Sequence, residues 1–67
     1  MTDVKELNRI IEQSGLRKRF LAEKLGISHQ AFYNKLNGIS EFKLAEVSIM
    51  CNILNIGKKQ REEIFFA

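Results

Sequence analysis

Residues 16–38 read LRKRFLAEKLGISHQAFYNKLNG. The stretch divides into two helix-length segments of two to three turns, separated by Gly26 and Ile27. In the first, about Arg17 to Leu25, Phe20, Leu21 and Leu25 form an apolar face. Ala22 is small enough to let a second helix approach, and Gly26 permits a sharp exit. The second segment, about Ser28 to Asn37, begins on a good N-cap, Ser28. Ile27 just before it is placed to staple onto Phe32, and Phe32 and Leu36 recur one turn apart. The other faces carry His29, Gln30, Tyr33, Asn34 and Lys35, and Gly38 ends the segment. Two short helices, a glycine turn, an apolar residue beneath both and a polar outward face together predict a helix-turn-helix pair.

Outward from this pair, three further helices are predicted. About Asp3 to Ser14, Val4, Leu7, Ile11 and Ser14 fall on one stripe that Ile10 widens. Asp3 and Glu6 have the spacing of a capping box, and Gly15 suits a left-handed end. From about Lys43 to Leu54, Leu44, Val47, Met50, Cys51 and Leu54 are expected inward. Ile49 and Ile53 leave that helix apolar over much of its circumference. A last helix, about Lys58 to Phe66, offers Ile64, Phe65 and Phe66. With no proline, few glycines, and no linker or repeat, the chain is expected to form one all-α, five-helix domain over residues 1–67. A chain this short buries only about 60% of its unfolded surface, so its core is small.

Charge narrows the partner. The net charge is +3, but its distribution is uneven. Residues 1–16 carry a net −1 and residues 41–67 a net zero, while residues 17–40 carry +4 from Arg17, Lys18, Arg19, Lys24 and Lys35 against Glu23. A clustered basic segment is the electrostatic footprint of a phosphate binder. Three cations open the second helix, which is the wrong sign for its dipole and invites a functional explanation. Cys51 is the only cysteine and His29 the only histidine, which excludes an intramolecular disulfide and a zinc site built from Cys and His. No apolar run approaches a membrane span, and early charges at Asp3, Lys5, Glu6 and Arg9 exclude a signal-peptide core. A cytoplasmic location is expected, with no membrane, cofactor, metal or small-molecule substrate.

At LAEKLGIS, followed by Gln30 and by Asn37-Gly38, the sequence resembles the Cro and phage-repressor type of helix-turn-helix domain. FKLAEVSIMCNILNI, residues 42–56, resembles that family's fourth helix. The closing EEIFF is similar to small Cro-like regulators of phages of Gram-positive bacteria. The resemblance implies a lambda-repressor-like fold and a transcriptional repressor, acting in a bacterial cytoplasm, that binds a palindromic double-stranded DNA operator as a homodimer, formed in solution or only on DNA. It places base-reading at His29, Gln30, Tyr33 and Asn34. Glutamine suits this task because it donates and accepts together on the N6/N7 edge of adenine. Phosphate contacts fall on Arg17, Lys18, Asn37 and Lys43, with Lys35 alongside. Many relatives carry an Arg–Glu pair where this chain has Ile11 and Leu36, so a buried ion pair is expected to be replaced by packing. Lys43 stands where a capping Ser or Thr is usual, forgoing about 1 kcal/mol that a phosphate at that helix end can offset.

No enzyme is expected: Glu62–Glu63 and Glu41–Glu46 read as solvated helix charges, and no nucleophile has a base to serve it. The alternative is a protein-binding antirepressor on the same fold, which an apolar rather than polar outward helix face would favour. Surplus apolar residues Ile49, Ile53 and Phe66 are the expected dimer contact, unless the last helix covers them.

Overall fold

The computed structural model describes residues 1–66. Among them are five α-helices and no strand: α1 (Val4–Ser14), α2 (Lys18–Leu25), α3 (His29–Leu36), α4 (Leu44–Leu54) and α5 (Lys58–Phe65). Their ends follow local chemistry. The Asp3 carboxylate accepts from the Glu6 N–H at 3.1 Å, and the Ser28 hydroxyl accepts from the Ala31 N–H at 3.0 Å. The Glu6 side chain does not return to complete a box; it pairs with Arg9 instead. Between α2 and α3 the chain reverses at Gly26, whose φ of 72° is left-handed, while the Ile27 N–H donates to the Ala22 carbonyl at 3.1 Å. A side chain at that φ is strained whatever the space around it.

All five helices contribute to one core. Leu7, Leu21, Phe32 and Met50 are wholly buried, and Ile64 and Phe65 of α5 close it. Ala22 is buried and Ile27 half-buried against this core, as the close approach of α2 and α3 requires. Phe42, in the α3–α4 connection, meets Phe32 edge-on at 6.2 Å and Phe65 at 5.8 Å, joining α3 to α5. The Asp3 N–H donates to the Ile64 carbonyl at 2.6 Å and ties the start of α1 to α5. None of the helices is long and apolar enough to cross a membrane.

Two apolar expectations need correction. Phe20 is 38% exposed rather than inward. The buried stripe of α2 is Leu21, Ala22 and Leu25, and Phe20 lies one position outside it, beneath the Lys24 ammonium at 5.5 Å. Leu44 is 73% exposed, because Phe42 before the helix already occupies the space beside Phe32 and Phe65. Ser14 is also exposed; its hydroxyl donates to the Ile11 carbonyl and accepts from the Leu16 N–H, ending α1 rather than packing.

Ile11 and Leu36 are both deeply buried, as expected of an apolar replacement for an ion pair. The core nonetheless contains an ion pair, at neighbouring positions. Lys35 Nζ donates to Glu46 Oε1 at 2.6 Å, and both residues are buried. The same oxygen accepts the Lys43 N–H at 2.8 Å, so Glu46 caps α4 from inside its first turn. Lysine has no acceptor with which to complete a reciprocal box. Glu46 is therefore not a solvated charge.

Burial alone raises the Glu46 pKa, but the hydrogen bonds from Lys35 and the Lys43 N–H and the charges of both lysines outweigh it. The net shift is downward. Stability from this group is thus fully present above the ordinary glutamate range and is lost as pH falls through the lowered native value. Removing one partner strands a buried charge, at a cost of about 3–5 kcal/mol. Glu46→Leu should lower the free energy of unfolding, read by denaturant titration, by about that much at pH 7. Lys35→Met with Glu46→Leu should recover most of it, short of the roughly 1 kcal/mol cap. A double variant as unstable as the single one would remove the ion pair as the cause.

Candidate nucleic-acid interface

The outward face of α3 is organised by helical spacing. Residues four apart lie over one another, which pairs His29 with Tyr33 and Gln30 with Asn34. The His29 and Tyr33 rings are 4.7 Å apart and tilted by 49°. Gln30 Nε2 donates to Asn34 Oδ1 at 3.1 Å. No other bond engages the Gln30 carbonyl or its second amide hydrogen, so an acceptor and a donor remain unspent on this exposed side chain. His29, Gln30 and Tyr33 are exposed and Asn34 is half-buried. No acidic residue stands on α3, and Glu23 is the single acid in residues 17–40.

Lys18, the first residue of α2, places its ammonium 5.2 Å from the centre of the Tyr33 ring. A cation over a ring face is held electrostatically, so the start of α2 and the outward face of α3 form one surface. Arg17 is the N-cap of α2 and is exposed, with no side-chain cap bond. Its backbone carbonyl accepts from the Leu21 N–H. Asn37 ends α3 and is exposed, and Lys43 is the exposed N-cap of α4.

Lys35 does not join these surface residues. Its ammonium is buried against Glu46 and lies 5.8 Å from the Phe42 ring, so it is withdrawn from solvent and corrects the expectation of a phosphate contact. The expected dimer residues differ in exposure. Ile49 and Ile53 are half-buried against the core, while Phe66 is 53% exposed at the end of α5. On α4, Ser48 and Asn52 face the start of α5, and Ile49 and Ile53 follow each by about 100° around the axis.

Two contributors escape a pattern reading. Asn8 of α1 donates through Nδ2 to the Leu36 carbonyl at 3.2 Å, satisfying the end of α3 from a neighbouring helix. Such a contact needs three-dimensional proximity, and an asparagine within a helix gives no signal of it. Ile39 is 72% exposed just after Gly38, where its N–H closes onto the Asn34 carbonyl at 2.9 Å.

We find no matching protein family, no similar curated protein and no matching solved structure for this chain. The geometry of the Lys18–Tyr33 contact is open to direct measurement. Ring current should shift the Lys18 ε-methylene protons upfield in the NMR spectrum, and Tyr33→Leu should return them to the random-coil position. Unshifted protons in the parent chain would separate the ammonium from the ring.

Proposed function

We propose that this chain is a sequence-specific DNA-binding regulator, a Cro-like repressor in which α2 and α3 act as a helix-turn-helix and α3 enters the major groove. The observation that carries the reading is the outward face of α3: hydrogen-bonding residues without a carboxylate, continuous with the Lys18 cation. Eight helical residues span about 12 Å, a length suited to a groove of about the same width. In this role Gln30 reads adenine through its free carbonyl and amide hydrogen, and Asn34 either reads a neighbouring base or holds Gln30 in place. Tyr33 and His29 contact sugar or a thymine methyl. Arg17, Lys18, Asn37 and Lys43 contact phosphates.

A DNA role also accounts for the cations that open α2 and for Lys43 at the start of α4. The cations that open α2 are unfavourable at a positive helix end in isolation, and a phosphate there reverses the sign; Lys43 already has the Glu46 carboxylate in the first turn of α4. The molecule is 28 Å in its longest dimension, less than the ~34 Å between equivalent major-groove segments. One copy therefore reads one half-site, and a palindrome takes two. The protein performs no catalysis in this reading.

Affinity for a duplex should fall steeply with salt, since each phosphate contact releases close to one counterion. Lys18→Ala and Lys43→Ala should each weaken binding to every sequence alike and reduce the log–log salt slope by about one. Gln30→Ala should instead cost about 1–3 kcal/mol on the preferred site and relax choice at one base pair, leaving the slope unchanged. These are read by fluorescence anisotropy across a salt series. A parent chain without salt-dependent duplex binding would overturn the proposal and favour the protein-binding alternative.

A further inference from the structure

His29 is the only histidine of the chain and the first residue of α3. It is exposed, and its ring leans on Tyr33 with 4.7 Å between centroids. The Lys18 ammonium stands 5.2 Å from the centre of the same Tyr33 ring. An imidazole from α3 and a cation from α2 therefore share one aromatic neighbour. Imidazole is the side chain whose ordinary titration falls between about pH 5 and pH 8. Neutral, it offers one N–H donor and one acceptor nitrogen; charged, it offers two donors and no acceptor.

No carboxylate is paired with this ring. Neither ion pair among the described residues involves His29, or Glu23, the one acid of α2. α3 itself carries no acid. From α1, Asn8 reaches α3 at the Leu36 carbonyl, at the opposite end from His29, and Glu6 on that helix is paired with Arg9. From α4, Glu46 is engaged by Lys35. What the surroundings of His29 do favour is an anion from outside. The start of α3 is a positive helix end, and the Lys18 ammonium adds a full charge across Tyr33.

We propose that His29 meets DNA as an imidazolium, taking up a proton as it donates to a phosphate oxygen, so that duplex affinity is coupled to pH. This deepens the helix-turn-helix reading and rests on it. A sugar or methyl contact is what the neutral ring retains, and the charged ring adds a charge-assisted bond. A phosphate that approaches this helix start is attracted by Lys18 and then stabilises the charged imidazole beside it. The sign follows from linkage: the complex holds a proton at pH values where the free chain has released it, so binding strengthens as pH falls. The support of α3 does not change over this range, because Glu46 is held below the ordinary glutamate range and keeps its charge.

The test titrates the full chain with a mixed-sequence duplex of about two helical turns, ~20 base pairs, by fluorescence anisotropy. Affinity should rise roughly tenfold from about pH 8.5 to about pH 5.5, the equivalent of one pH unit of proton coupling. The log–log salt slope should be steeper by about one at the acid end, since a charged ring releases one more counterion. In the NMR spectrum near pH 7, the carbon-bound ring protons of His29 should move toward their charged positions when duplex is added. His29→Gln, at an exposed position, should flatten the affinity profile and remove the difference in slope, with circular dichroism confirming the fold. A profile that survives this substitution would assign the proton to another group and overturn the proposal. So would a parent chain that binds equally tightly at both ends of the range. Absence of duplex binding at every pH would overturn the helix-turn-helix reading together with it, whereas binding with a flat profile overturns this inference alone.

Discussion

The buried bond between Lys35 and Glu46 sets the position of α3 relative to the rest of the molecule. Charges taken out of water are expensive, and an ion pair inside a small core contributes less stability than an apolar pair of the same shape. What it supplies is direction. A methyl group packs acceptably over a range of angles, whereas an ammonium buried against one carboxylate oxygen has few alternatives. Glu46 spends the same oxygen on the Lys43 N–H, so the last turn of α3 and the first turn of α4 are joined at a single atom. From α1, Asn8 secures the Leu36 carbonyl. Phe32 and Phe42 complete the support from below. The outward face of α3 is consequently held by polar bonds at its C-terminal end and by the Gly26 turn at its start.

Much of this was legible in the residues themselves. Helix limits followed from Asp3, Ser28 and the glycines because caps and left-handed ends are local chemistry. The central pair was legible for the same reason, together with the spacing of Leu21, Leu25, Phe32 and Leu36. The failures share a different cause. Lys35 and Glu46 are charged residues that sequence reasoning assigns to solvent, and only their mutual proximity across eleven positions makes burial tolerable. Leu44 satisfies the helical period yet stands in solvent, because Phe42 takes the inner position first. Periodicity ranks positions along one helix; it does not register competition from the loop before it. For the surface, the residues showed that the outer faces of α3 are polar, and the resemblance singled out His29, Gln30, Tyr33 and Asn34, but neither gave the pairing of Gln30 with Asn34 or of Lys18 with Tyr33.

In the proposed role, these features divide the labour. The polar supports of α3 set the angle at which it meets a groove, and its own outward residues set what it reads. The positive start of α2 at Arg17–Lys18 and the exposed Lys43 form a flanking frame, and the repulsion at the α2 start is relieved when phosphates arrive. Because that relief is electrostatic, it governs affinity and salt dependence more than choice of sequence. Choice rests on few groups, chiefly the free carbonyl and amide hydrogen of Gln30. A domain of this size thus depends on symmetry for specificity, since one short helix contacts only a few base pairs.

The most direct measurement of the central claim is selection of bound duplexes from a random-sequence pool by the full chain. The account predicts enrichment of an inverted repeat whose half-sites are centred about one helical turn apart, with adenine at the position read by Gln30. A pool that remains random after repeated rounds at low salt would contradict it.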